Sequence, residues 1–236
     1  MNEQIEQQLR DIKQSFRPLM DGAVAQSMRD KGLNYHLNWG VSLPRLREMA
    51  DELKSNTTLG QRTLATEETQ ESPSPNTQHL TPLYHLAIAL WKENIRECKI
   101  LATMTMPANE MLPEVVDLWM EQTETVEIAE QAAMNLYQFL PYAPEKAYQW
   151  MASPRELEQL CGFHVMSRIF MRGQEPNERG INEYIDQAIA ALLGDSLVVR
   201  KAAINSLQRF AELGLIYKRL AQSALKTTPY SYLLTP

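Results

Sequence analysis

Four glutamates spaced three apart, Glu121, Glu124, Glu127 and Glu130, are the residues of this 236-residue chain whose type and spacing most invite chemistry. Such spacing keeps side chains along one side of a helix. The row reads either as a solvated acidic face, with acids near a helix start favoured by the macrodipole, or as the source of one cleft carboxylate. A carboxylate of that kind suits sugar chemistry with oxocarbenium character, where it stabilises positive charge or positions water. The complementary groups are Lys92, Arg96 and Lys99, then Arg168 and Arg172, then Arg200, Lys201 and Arg209. Arg96 shares a helical face with Lys92 and Lys99, as Arg168 does with Arg172. Converging on one surface, these cations would hold phosphates with an affinity that falls steeply with salt; scattered surface charge explains the same pattern.

Other chemistries find little support. His36, His79, His85 and His164 have no mutual spacing that suggests a metal site or a nucleophile–base pair, and His164, within an apolar run, reads as a satisfied interior residue. No glycine-rich phosphate loop and no Gly-x-Ser-x-Gly elbow is present, so neither cofactor nor metal is expected. Cys98 and Cys161 each sit in an apolar helical pattern without a partner at ligand spacing, and read as buried thiols in a reducing, cytoplasmic setting. No window approaches the ~18 uninterrupted apolar residues of a membrane span. The net charge of -6 argues mildly against a surface built wholly for phosphate. The acids are concentrated, however: from Glu110 to Leu160 there are ten against two bases, which leaves 19 acids and 21 bases elsewhere. A basic protein partner for this acidic middle is therefore one reading of the chain.

The elements that must position these groups are helices. Hydrophobic residues make up 44% of the chain and Gly only 9 positions, and Leu, Ala, Met, Glu and Gln dominate, a helical vocabulary. Three helices are predicted at about Glu3–Phe16, Leu19–Met28 and Pro44–Lys54. Residues 56–79, rich in Thr, Glu, Gln, Ser and Pro, lack apolar periodicity and read as a flexible loop or insertion in an otherwise single domain spanning 1–236. Pro82, Pro113, Pro144 and Pro154 each precede an amphipathic run, and Ser153-Pro154-Arg155-Glu156 has the form of a capped helix start. Stripes stepping by three and four run through Val126, Ala129, Ala133, Leu136 and Leu140, through Leu157, Cys161, Val165 and Ile169, and through Val199, Ala203, Leu207, Phe210 and Leu213. Trp91, Trp119 and Trp150 recur near the ends of successive helices, and Leu192-Leu193-Gly194-Asp195 begins the same turn again. Helix pairs of this size stack into an α-α superhelix with a concave side, the tryptophans packing between repeats.

Three segments resemble one family. Trp39-Gly40-Val41-Ser42-Leu43-Pro44-Arg45-Leu46-Arg47-Glu48-Met49-Ala50 looks like the FGV-x-x-P-x-LR-x-x-A stretch of AlkD-like DNA alkylation repair proteins. The run from Leu90-Trp91 through Glu97 to Leu101-Ala102 is similar to that family's LW-x-S-x-x-x-E-x-R-x-LA helix pair, and Val198-Val199-Arg200-Lys201-Ala202-Ala203-Ile204 to its V-x-KAI helix. The likeness covers about Leu33 to Leu213. It implies a HEAT-like repeat solenoid holding duplex DNA in a concave face, and excision of 3-methyladenine- or 7-methylguanine-type bases by an Asp, an Arg and two Trp. The chemistry is largely replaced here. At the family's W-x-x-x-D the chain has Val126 and Glu130, which makes Glu130 the candidate catalytic carboxylate. At W-x-RR stand Leu157 and Gln159-Leu160, so the arginine is missing at Leu160. At GWALRE stand Asn205-Ser206-Leu207-Gln208-Arg209, with Ser206 for the second tryptophan. The resemblance therefore implies a DNA-binding solenoid with weak or lost base excision, using Arg96, Arg168, Arg200 and Lys201 on nucleic acid. The alternative is a protein-interaction scaffold that uses the acidic middle.

Overall fold

A computed structural model describes residues 3–65 and 80–234, with side chains described to Asn56 in the first stretch. Among these residues are twelve α-helices and no strand, only an isolated bridge between Leu37 and Ile95. The chain separates into two compact units, Met1–Glu121 and Gln122–Pro236. None of the described helices is long and apolar enough to cross a membrane.

The first unit holds α1 (Glu3–Phe16), α2 (Gly22–Asp30), α3 (Leu43–Ala65), α4 (Pro82–Lys92), α5 (Arg96–Thr105) and α6 (Pro113–Glu121). Ile5, Leu9, Ile12 and Phe16 bury one face of α1, the three–four stripe that makes a short helix depend on a neighbour. Helix α1 packs on α4, and α3 packs on both α4 and α5. Helix α3 continues well past the predicted Lys54, into the segment expected to be a loop; the remainder of that segment, 66–79, lies outside the described residues. Trp91 and Trp119 are buried and stack face to face at 4.1 Å between centroids, so these two tryptophans are packing residues. Gly40 is the one position where the entry to α3 demands glycine: its φ is +73°, and a Cβ there would sit 2.1 Å from the Asp21 carbonyl oxygen.

The second unit holds α7 (Val126–Asn135), α8 (Ala143–Met151), α9 (Glu156–Met171), α10 (Glu178–Leu193), α11 (Leu197–Glu212) and α12 (Leu215–Leu225). Helix α9 packs on both α7 and α11, so these three form one layer; α8 lies against α9 and α10 against α11 in the other. Thr125, Asn177 and Ser196 cap α7, α10 and α11 by accepting from Ile128 N, Gly180 N and Val199 N. The predicted start at Ser153-Pro154 is displaced. Helix α9 begins at Glu156 without a side-chain cap, because Ser153 Oγ accepts from Arg155 N and forms a local turn ahead of the helix. Cys98 and Cys161 are both buried, and loss of hydration pushes both thiols up from their ordinary range.

Close contact between α8 and α9 depends on Gly162. A Cβ at this position would lie 2.8 Å from Ala147 O and 2.9 Å from Met151 N, backbone atoms that cannot rotate aside. Alanine improves helix propensity by about 1 kcal/mol, but separating two packed helices costs about 1–3 kcal/mol. Gly162→Ala is therefore expected to lower the urea midpoint, whereas Gly194→Ala, whose Cβ would meet nothing closer than 3.4 Å, is expected to leave it nearly unchanged.

Candidate nucleic-acid interface

The layer of α7, α9 and α11 places matched side chains on one side. Helix α7 offers Glu130 and Met134, α9 offers His164, Ser167, Arg168 and Met171, and α11 offers Asn205 and Arg209. Every set has helical i, i+3 or i+4 spacing, so each helix points a single stripe at the same space. Together they line a cleft of about 270 Å³ within the second unit.

Its polar groups are partly pre-paired. Glu130 Oε1 lies 3.5 Å from His164 Nε2, with the two side chains 42% and 27% exposed. His164 is thus a cleft residue and not the interior one its apolar neighbours suggested. Ser167 Oγ donates to Asn205 Oδ1 at 3.1 Å. Arg209 pairs with Glu212 at 2.7 Å. Arg168 has only a long contact to the Met171 sulfur, 3.9 Å, and no carboxylate partner among the described residues, so its charge stays available. Lys201, four residues before Asn205, is exposed and extends the α11 stripe beyond the cleft.

Several residues singled out in the sequence lie elsewhere. Arg96 is 1% exposed: its Nη1 donates to Val41 O at 2.9 Å and meets Glu97 Oε1 at 3.2 Å. It holds the fold together and offers nothing to a phosphate. Lys99 donates to Trp91 O and sits 4.4 Å over the Trp91 ring, so the Lys92, Arg96 and Lys99 trio does not form a cationic face. Arg200 Nη2 donates to Gly194 O and closes the end of α10. Arg172 is held by Gln138 and lies over the Phe139 ring. Leu160 and Ser206 are buried away from the cleft, Ser206 accepting from Tyr184 Oη at 2.8 Å. Their neighbours carry the stripes: Asn205 precedes Ser206, and Arg168 lies two turns after Leu160. Val126 is half-buried in the first turn of α7 and does not line the cleft. The predicted acidic row is broken, since Glu121 closes α6, Glu124 lies in the connection, and only Glu127 and Glu130 share α7. Among the described residues no group of His, Cys, Asp and Glu could hold a metal ion.

The fold is a HEAT-like helical repeat. A solved structure described as "a new family of proteins related to the HEAT-like repeat DNA glycosylases with affinity for branched DNA structures" superposes with a TM-score of 0.69 at 14% identity, covering 92% of this chain and 81% of that one. The profile of the DNA alkylation repair enzymes matches residues 12–211, and the chain belongs to that family. No curated protein matches the sequence significantly.

Proposed function

We propose that this chain binds DNA along the α7–α9–α11 layer and that its alkylpurine excision is weak or lost. The observation that carries this reading is the pair of cations without a described carboxylate partner, Arg168 and Lys201, beside a cleft whose one lining carboxylate is Glu130. Guanidinium groups suit phosphate oxygens in both charge and geometry. Among the described residues no Trp, Tyr or Phe lines the cleft: Met134 and Met171 stand there instead, so the cation–π support worth about 0.5–2 kcal/mol per ring for a cationic purine is missing. Glu130 faces His164 and is not left alone to stabilise an oxocarbenium charge. The structural relative's affinity for branched DNA makes a branched duplex a suitable first probe beside a linear one.

The test pairs a binding titration with a base-release assay on alkylated duplex. Salt-dependent binding, with little release by the wild type, is the expected outcome. Abundant release that disappears in Glu130→Gln would overturn the loss of chemistry, and no binding at low salt would overturn the whole reading.

A further inference from the structure

The same cleft is also a hole, and a strand of phosphates lying on a surface does not need one. At about 270 Å³ it approaches the lower end of small-ligand sites, roughly 300–1,000 Å³. Three observations describe what would fit it. First, the two thioethers, Met134 and Met171, face the space from α7 and α9 and provide polarizable walls for the face of a ring. Second, His164 sits at Glu130 Oε1, while Oε2 has no described partner and remains an acceptor. Third, Ser167 donates to Asn205 Oδ1, which leaves the Nδ2 of this cleft-lining amide as a donor without a described partner.

Resting on the DNA-binding reading above, we propose that the cleft takes one unpaired nucleobase presenting a ring nitrogen beside an exocyclic amine, the edge shared by adenine and cytosine. Asn205 Nδ2 donates to the ring nitrogen. Glu130 Oε2 accepts from the amine, as carboxylates and amides do at base edges. Arg168 holds the phosphate of that nucleotide, and Lys201, further along the α11 stripe, holds a neighbouring one. Thymine presents a ring N–H and carbonyl oxygens on that edge, so it sets a donor against the Asn205 donor and a carbonyl oxygen against the Glu130 carboxylate. This makes an extrahelical or unpaired nucleotide in otherwise duplex DNA the preferred substrate class. The chemistry is recognition: no bond to the base is formed or broken.

The full-length protein is titrated with four labelled duplexes: fully paired, and bulged by a single adenine, a single thymine or a single abasic nucleotide. Adenine-bulge affinity is expected to exceed the other three by about tenfold, in the range of discrimination that one good bidentate base contact gives, and Asn205→Leu is expected to level the adenine and thymine bulges. Equal affinity for adenine, thymine and abasic bulges overturns the inference, and if Arg168→Glu still weakens all four, the DNA-binding reading stands without it. Absence of binding to every duplex at low salt overturns both. The comparison among bulges uses wild-type protein, so it holds even if a variant fails to fold.

Discussion

Glu97→Ala is expected to cost about 3–5 kcal/mol of folding stability, the range for breaking a buried charge pair from one side. Glu97 is 0% exposed, and one carboxylate serves three donors: Trp39 N and Val41 N at 3.3 and 3.2 Å, and Arg96 Nη1 at 3.2 Å. Alanine leaves two backbone N–H groups, the one at Val41 buried and the one at Trp39 part-buried, and a buried guanidinium without this acceptor. Each orphaned donor alone costs about 1–3 kcal/mol. Arg96→Met is expected to cost less, because it removes the charge that Glu97 neutralises but leaves both backbone N–H bonds in place. A urea-denaturation cycle through Arg96→Met, Glu97→Ala and the double variant isolates the pair, with a coupling of about 1–3 kcal/mol expected for residues in direct contact. Glu48→Ala serves as the contrast: its pair with Arg45 is exposed on both sides, and such pairs contribute about 0–1 kcal/mol. A loss for Glu97→Ala no larger than that for Glu48→Ala would refute this account of the first unit.

The same pair explains how far the sequence could be read. The segments Trp39–Ala50 and Leu90–Ala102 carry the family resemblance, and in the folded chain they are bonded to each other through Glu97. The resemblance therefore reported on the fold, and the helical vocabulary, the proline punctuation and the buried stripes gave the same answer from composition and period alone. Helix α1 was legible residue by residue, since Ile5, Leu9, Ile12 and Phe16 leave no other face to bury. The site was harder to read for a geometrical reason. Adjacent residues on a helix point about 100° apart, so a one-residue slip on α11 replaces Asn205, in the cleft, with Ser206, in the core. Helix α9 adds a second difficulty, because α7, α8 and α11 all pack on it and apolar residues occupy most of its circumference. Periodicity there marks no single outward face, and His164 passed for an interior residue. Spacing also put Arg96 on one helical face with Lys92 and Lys99, but Lys92 ends α4 and only Arg96 and Lys99 share α5, because a three–four spacing does not register the break between two helices.

Charge reversal across the cleft separates the cations that can serve DNA from those the fold has already engaged. Arg168→Glu is expected to weaken duplex binding by about tenfold or more and to lower the slope of log affinity against log salt by roughly one to two, since each phosphate contact contributes about 0.9 to that slope. Arg209→Glu is expected to act more weakly, by a few-fold, because Glu212 at 2.7 Å already offsets that guanidinium. Lys201→Glu should resemble Arg168→Glu in its salt slope, being exposed and without a described partner. Arg200→Met is the discriminating control. It lies next to Lys201 in sequence, yet its guanidinium closes the end of α10 at Gly194 O, so it should lower the melting temperature and leave the salt slope unchanged. If instead Arg200→Met flattens the slope while Arg168→Glu and Lys201→Glu do not, DNA contacts another face of the second unit and the cleft loses its proposed role. A positive charge steers a polyanion only to the extent that the fold has left it uncompensated.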